Sequence, residues 1–469
     1  MPHLDDISGW ISEKLPALLA EHKVPGAAIA VYADGEVFDF ASGVLSHATG
    51  VEATADSVFQ IGSITKTWTA TLVMQLADEE LLDLDATVVT YLPDFGLADS
   101  EAARTMTVRQ LLCHKAGFEG DIFTDTGTND DCVQKYVETL RTDPQLFPPG
   151  EMFSYNNAGY CVLGRIVEVL RGKPWDQALR EHLFTPLGLT HAATDANSAI
   201  LFRAAVGHLP NPDADGLPVP APMWSLVKSN GPAGAMLAMR PRDLLAFARM
   251  HLSGGKAEDG TKVLSEASVT AMRERQVTLP PLGLMGTHWG LGWELFDWPD
   301  GLVFGHDGGT VGQSAFLRIV PGQDVAIALL TNGGNPIAVY FEVFRHLLKE
   351  LADIDLPATP VPPATELDQE TRRRVDATRY LGTYANSMGK TEITQDDDGR
   401  VWMTDTPLGE LAELIGEVEK TELVHLENDT LIPATPKYGI YLPQVFIGDD
   451  GSGRSLYIHS GRATRRASE

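Results

Sequence analysis

Strand-forming runs stand at both ends of the first 350 residues with helical ones between them, and this placement constrains the fold more than any other feature. Near the start, "VPGAAIAVYADGEVFDFASGV" reads as a strand, an Asp-Gly hairpin turn and a second strand. Far downstream, "LVFGHDGGTVGQSAFLRIVPGQDVAIALLTNGG" reads as two or three more, expected to close the sheet begun at the N-terminus. Between them, "TVRQLLCHKAG" is expected to be helical up to Gly117, and "GYCVLGRIVEVLRGKP" up to Gly172. "PIAVYFEVFRHLLKEL" reads as a final helix, and "LPATPVPPATEL", Leu356 to Leu367, as a proline-rich linker. Beyond it, "YLGTYAN", "KTEITQDDDGRVWMT", "TELVHLENDTLIP" and "SLYIHSGRATRR" alternate strand runs with turns, as in a small antiparallel barrel or sandwich. A chain of 469 residues, 43% hydrophobic, has the material for a catalytic body and such an appendage.

Where an apolar stretch ends in Gly62, "FQIGSITKTWTA" places Ser63 and Lys66 three apart at the start of a helical pattern. Residues i and i+3 share a helix face, so the hydroxyl and the ammonium become neighbours. Ser-x-x-Lys also occurs at Ser225, Ser253 and Ser387, but those copies run into turns or a strand; only the first opens a helix. Its apolar set, Trp68, Leu72, Val73, Leu76, Ala77 and Leu81, is expected to bury one side of that helix. A lysine with its usual pKa near ~10.4 is protonated at neutral pH and cannot accept the proton of a serine. Bringing it to near 7 costs about 4 to 5 kcal/mol, which burial beside another cation can supply.

Two further stretches carry polar groups suited to the same chemistry. "PPGEMFSYNNAGYCVLG" sets Tyr155, Asn156 and Asn157 just before a helix, and "FGHDGGTVG" sets His306, Asp307, Gly308 and Gly309 along a strand. The glycines let a ligand lie against the strand edge and reach its backbone N–H groups. A second Tyr-x-Asn, at Tyr384, lies in an appendage strand and is set aside, as is His459 with Ser460 and Gly461. His114 reads as structural. There is no Gly-x-Ser-x-Gly elbow, and no His-x-x-x-His or cysteine cluster, so neither metal nor cofactor is expected.

Composition removes other classes. The net charge of −28 excludes nucleic acid and anionic membrane as partners, because both need a basic face. No apolar run approaches the roughly 18 to 20 residues of a membrane span. "MPHLDDISGW" carries early acids where a signal peptide has basic residues, and Cys113, Cys132 and Cys161 read as free thiols. Together these point to a soluble cytoplasmic protein.

"SITK", "YNN" and "HDG", in this order, resemble the three boxes of the serine β-lactamase and penicillin-binding-protein superfamily, nearest to class C β-lactamases. "MTVRQLLCHKAGF", "FTPLGLTHA" and "GPAGAMLAMRPRDLLAFARMHLSGG" look like that family's connecting segments, so the resemblance covers about residues 8 to 350. It implies an α/β (α+β) fold, an antiparallel sheet of five or so strands flanked by helices with a helical subdomain, and the active site between them. The expected domains are a catalytic body at 1–354, a linker at 355–370 and an all-β, lipocalin-like barrel at 371–469.

The resemblance also implies roles. Ser63 is the nucleophile, Lys66 and Tyr155 a coupled pair of which either is the base, and Asn157 the group that holds Lys66. The N–H groups of Ser63 and Gly309 form the oxyanion hole, with Gly308 and Asp307 beside it. His306 replaces the usual lysine of the third box, a variant familiar among esterases, D-amino-acid peptidases and peptide-cyclising thioesterases, and orients Tyr155 or meets the substrate. With the appended barrel, the chain looks most like stand-alone thioesterases that cyclise nonribosomal peptides. These imply a peptidyl thioester, delivered on a carrier protein, and a head-to-tail macrolactam with a D-residue at its C-terminus. Release to water by a D-amino-acid peptidase or esterase is the alternative. Trp224, Trp289 and the "RATRR" tail are the candidate contacts by which the barrel and the cleft meet the peptide.

Overall fold

The computed structural model describes residues 4–211, 216–367, 375–408, 412 and 418–467. The first three residues, the end of the expected linker (368–370) and the beginning of the expected barrel domain (371–374) lie outside the described residues.

The strand Gly26–Ala33 is buried along its whole length, which explains why "GAAIAVYA" is apolar throughout rather than alternating. It pairs antiparallel with Glu36–Gly43 on one side and with Val325–Thr331 on the other, Ile29 facing Leu329. From there the sheet continues through Ser314–Val320, Gly301–Gly309 and Glu294–Trp298, and two-residue strands extend its edge. Hence the late strands do close the sheet begun at the N-terminus, but the sheet has eight strands in its order rather than five or so.

Alternation sends the two faces of this sheet to different cores. Ala27, Ile29 and Val31 pack against Ile7, Ile11 and Leu15 of the helix Leu4–Glu21 and Val343 and Leu347 of the helix Pro336–Ala352. Ala28 and Ala30 face the helical part, including the helices Thr65–Asp78, Asn157–Arg171 and Pro241–Leu252.

The helix after Ser63 departs from the expected amphipathic pattern. All of its residues from Thr65 to Leu76 are buried, and Leu81, beyond its end, is exposed. Three of its threonines can sit inside because their hydroxyls donate to carbonyls: Thr67 to Ile64 at 2.8 Å, Thr69 to Pro232 at 2.8 Å and Thr71 to Thr67 at 2.8 Å. Trp68, stacked on Phe247 at 3.9 Å, anchors the turn that carries Lys66.

The expected helix ending at Gly117 is also shorter. It runs Val108–Leu112 behind a Thr107/Gln110 capping box and stops because His114 takes a left-handed backbone, φ +57°. By contrast, Asn157–Arg171 ends at Gly172, φ +64°, as the sequence indicates.

The C-terminal part is an eight-stranded antiparallel meander from Gly382–Ala385 to Ala463–Arg465, nearly closed by a bridge between Tyr384 and Arg466. Its interior is filled by Tyr380, Tyr384, Ile393, Met403, Leu423, Leu431, Phe446 and Ile458. Among the described residues no helix is long and apolar enough to cross a membrane.

Candidate active site

Ser63 lies in a tight 3-10 turn, Gly62–Ile64, ahead of the helix Thr65–Asp78. The N-cap of that helix is Ile64 and no side chain caps it, so the Ser63 hydroxyl is not spent on helix capping. It accepts instead from Lys66 Nζ at 3.0 Å. Lys66 is fully buried and donates its second bond to the carbonyl of Ala233 at 2.5 Å. Asn157, expected to hold Lys66, donates from Nδ2 to Asp121 at 2.6 Å.

Glycines make this crowding possible. Gly62 has φ +50°, and a Cβ there would fall 2.6 Å from the backbone nitrogen of Gly309; one at Gly308 would fall 1.9 Å from the carbonyl oxygen of Ile61. The segments carrying the N–H groups of Ser63 and Gly309 are thus in contact, while space beside Gly309 is open.

Tyr155 sits against the ammonium, Lys66 Nζ lying 4.9 Å from its ring centre. Its short segment is held by the barrel. The N–H of Tyr155 donates to Gly461 O at 3.0 Å, His459 Nε2 donates to Phe153 O at 2.8 Å, and Ala463 N donates to Ser154 Oγ at 3.1 Å. His459 is a docking residue in a barrel strand, as its placement in the sequence suggests. Tyr384 is also structural, its hydroxyl donating to Tyr380 O at 3.0 Å.

The barrel also brings a charge. Arg462 lies with its guanidinium 4.9 Å from the Tyr155 ring centre and pairs with Asp121, the residue that holds Asn157. Of the three candidate peptide contacts, this part of the "RATRR" tail and Trp289 both lie against Tyr155. Trp289 is fully buried, packed edge-on to His306 at 5.3 Å, and Trp224 donates from its ring to Ala205 O at 2.9 Å.

These surroundings set the protonation states. Burial, and then the nearby Arg462 charge, bring the Lys66 ammonium down to about 7. Burial pushes the Tyr155 phenol above its usual value, opposed by Ser63 and Arg462. His306 is held neutral by burial, and then by the Lys66 charge, its pKa brought down to about 3. Its Nδ1 meets the carbonyl of Asp307 at 2.5 Å, so Nδ1 carries the proton and Nε2 is an acceptor.

Asp307 does not join the cleft. Its carboxylate binds Arg318 twice, at 2.6 and 3.1 Å, because adjacent strand residues point to opposite faces. Sequence reading missed Ala233, Asp121 and the docking of Arg462. A carbonyl that holds a lysine has no residue signature, and the strand runs of the barrel gave no sign of which hairpin touches the cleft.

Known proteins resemble this chain in sequence and fold. The sequence profile of the Beta-lactamase family matches residues 11–351. Penicillin-binding protein 4 of Amycolatopsis lactamdurans is 47% identical over 386 residues, 82% of this chain and 99% of that protein. The crystal structure of SurE with D-Leu superimposes with a TM-score of 0.76 at 30% identity, covering 98% of this chain and 99% of that one. The fold of the body recurs in D-amino acid amidase from Ochrobactrum anthropi SV3 complexed with L-phenylalanine amide, at 22% identity and a TM-score of 0.61, covering 73% of this chain and 99% of that one.

Proposed function

The chain belongs to the serine β-lactamase and penicillin-binding-protein family, and we propose that within it the protein is a stand-alone peptide cyclase working through an acyl-enzyme on Ser63. The substrate is a peptidyl thioester with a D-residue at its C-terminus, presented by a carrier protein, and the product is the head-to-tail macrolactam. The observation that carries this reading is the docking of the barrel on the segment of Tyr155, with Arg462 against Tyr155 and Asp121. A wall there shields the ester from water and leaves room for an amine from the same peptide, whose effective concentration is high once it is folded over the site. SurE, which holds D-Leu in the structure compared above, matches across almost the whole of both chains, barrel included, and this supports the D-residue.

Each step follows from the groups present. Ser63 Oγ attacks the thioester carbonyl as neutral Lys66 takes its proton. The N–H groups of Ser63 and Gly309 stabilise the oxyanion, and the thiol leaves with the proton returned through Lys66. The peptide's N-terminal amine then attacks the ester, gives its proton to Lys66, and Ser63 Oγ departs reprotonated. Tyr155, kept a phenol by burial, donates and relays, so Lys66 is the base. His306, a neutral acceptor, offers a substrate carboxylate no cation, which weighs against a penicillinase. The buried free thiols Cys113, Cys132 and Cys161 suit the reducing cytoplasm.

Product analysis tests the proposal. Incubation with a linear peptidyl thioester ending in a D-residue should give mainly the macrolactam by mass spectrometry, and the L-epimer should react much more slowly. Exclusive release of free acid, with rapid cleavage of D-amino-acid amides, would assign the protein to the D-amino-acid peptidases instead.

A pH profile tests the base. Because Lys66 must be neutral to act, acylation should rise with pH to a plateau through a midpoint near 7. Arg462→Ala removes a cation that lowers this pKa, so its midpoint should move to higher pH. A profile that Arg462→Ala leaves in place would contradict the electrostatic role given to the barrel.

A further inference from the structure

His114 lies behind Tyr155 and takes no part in the chemistry described so far. It is fully buried and adopts the left-handed backbone that ends its helix early. That conformation turns two acceptors of one residue toward the Tyr155 segment. The carbonyl of His114 accepts from Ser154 N at 2.9 Å, and its ring Nδ1 accepts from Asn156 N at 2.9 Å. The two amides flanking Tyr155 are therefore both held by His114. Its ring also stacks on the Tyr155 ring, centres 4.3 Å apart and planes 28° from parallel.

We propose that His114 is a positioning residue for the reaction, gripping the amides on either side of Tyr155 and backing its ring so that the phenol stands at Ser63 and Lys66. The inference rests on the reading of Tyr155 as part of the acid–base pair. An acceptor at Nδ1 requires the neutral imidazole with its proton on Nε2. Nε2 is buried without a hydrogen-bond partner, its ring edge-on to Trp289 at 4.9 Å. A buried polar atom without a partner is costly, so ordinary packing alone gives no reason for histidine at this place. The Nδ1 bond to Asn156 does. The barrel grips the same segment from its other side through His459, Gly461 and Ala463, so Tyr155 is set between two clamps on different parts of the chain.

Three substitutions separate the parts of this role. His114→Asn keeps an acceptor at the position of Nδ1 and tolerates φ +57°, but loses the ring. His114→Phe keeps a ring and loses the acceptor; His114→Gly loses both and relieves the backbone. With a peptidyl thioester, His114→Asn should stay within about tenfold of wild-type kcat, while the Phe and Gly variants fall by about 10²-fold with KM little changed, the scale of a misplaced catalytic group. Thermal melting of each variant corrects for the folded fraction, which a purely structural role would lower without changing kcat of the folded enzyme. A His114→Phe enzyme with wild-type kcat, or His114→Asn as damaged as His114→Gly, would overturn the proposal. Tyr155→Phe is assayed alongside. If it alone is impaired while all His114 variants are normal, only the positioning role fails; if it reacts like wild type, the underlying reading fails and this inference with it.

Discussion

Ser63→Ala should be folded and inert, with kcat reduced on the order of 10⁶-fold, the scale for deleting a nucleophilic serine. Covalent labelling by a fluorophosphonate or an activated ester should disappear with it. Folding should survive because the hydroxyl caps no helix and its bond is to Lys66. No other Ser-x-x-Lys copy offers a substitute: Lys228 donates to Thr128 O at 2.8 Å, Ser253 ends the helix Pro241–Leu252 with Lys256 bridged to Lys262 beyond it, and Lys390 pairs with Glu392 at 3.2 Å on a barrel strand. Labelling that persists on the variant would sink the assignment.

Lys66→Met should separate activity from stability. The buried ammonium is destabilising on its own account, since lowering its pKa from 10.5 to about 7 corresponds to a cost on the order of 5 kcal/mol at 1.36 per unit. Methionine fills nearly the same volume without a charge, so melting should be unchanged or higher, offset in part by the Ala233 carbonyl left without its donor. Catalysis should nevertheless fall at least about 10²-fold, as should that of Tyr155→Phe, because general acid–base transfer contributes on that scale. Acylation of Lys66→Met at the wild-type rate would remove lysine from the role of base.

Much of this was legible in the sequence because it is local. Gly62, Ser63 and Lys66 fall within one turn, Asn156 caps the helix it precedes, accepting from Gly159 N at 2.7 Å, and Gly172 ends it. The strand in "GAAIAVYA" was legible as a strand, and its burial along the whole length matches its apolar run. What escaped depends on contacts distant in sequence or on backbone atoms. The helix of Lys66 looked one-sided because its threonines read as polar, yet Thr67, Thr69 and Thr71 satisfy their hydroxyls within the core. His114 stops its helix before Gly117 because its carbonyl, ring nitrogen and ring face are committed to Ser154, Asn156 and Tyr155, partners far along the chain. Asp307 was placed in the cleft by its neighbours in the motif, whereas strand alternation turns it to Arg318. Arg462 was visible only as part of a basic tail, and its position depends on how the barrel seats against Phe153, Ser154 and Tyr155.

Turnover by this route passes through an acyl group carried by Ser63. Intact-protein mass spectrometry of wild-type enzyme, quenched within the first turnover after mixing with a D-terminal peptidyl thioester, examines that directly. The predicted result is an adduct equal to the peptide minus its thiol leaving group, mapped by proteolysis to the peptide containing Ser63 and decaying as macrolactam appears. Macrolactam forming with no adduct at any quench time, or an adduct mapped to Cys113, Cys132 or Cys161, would contradict it.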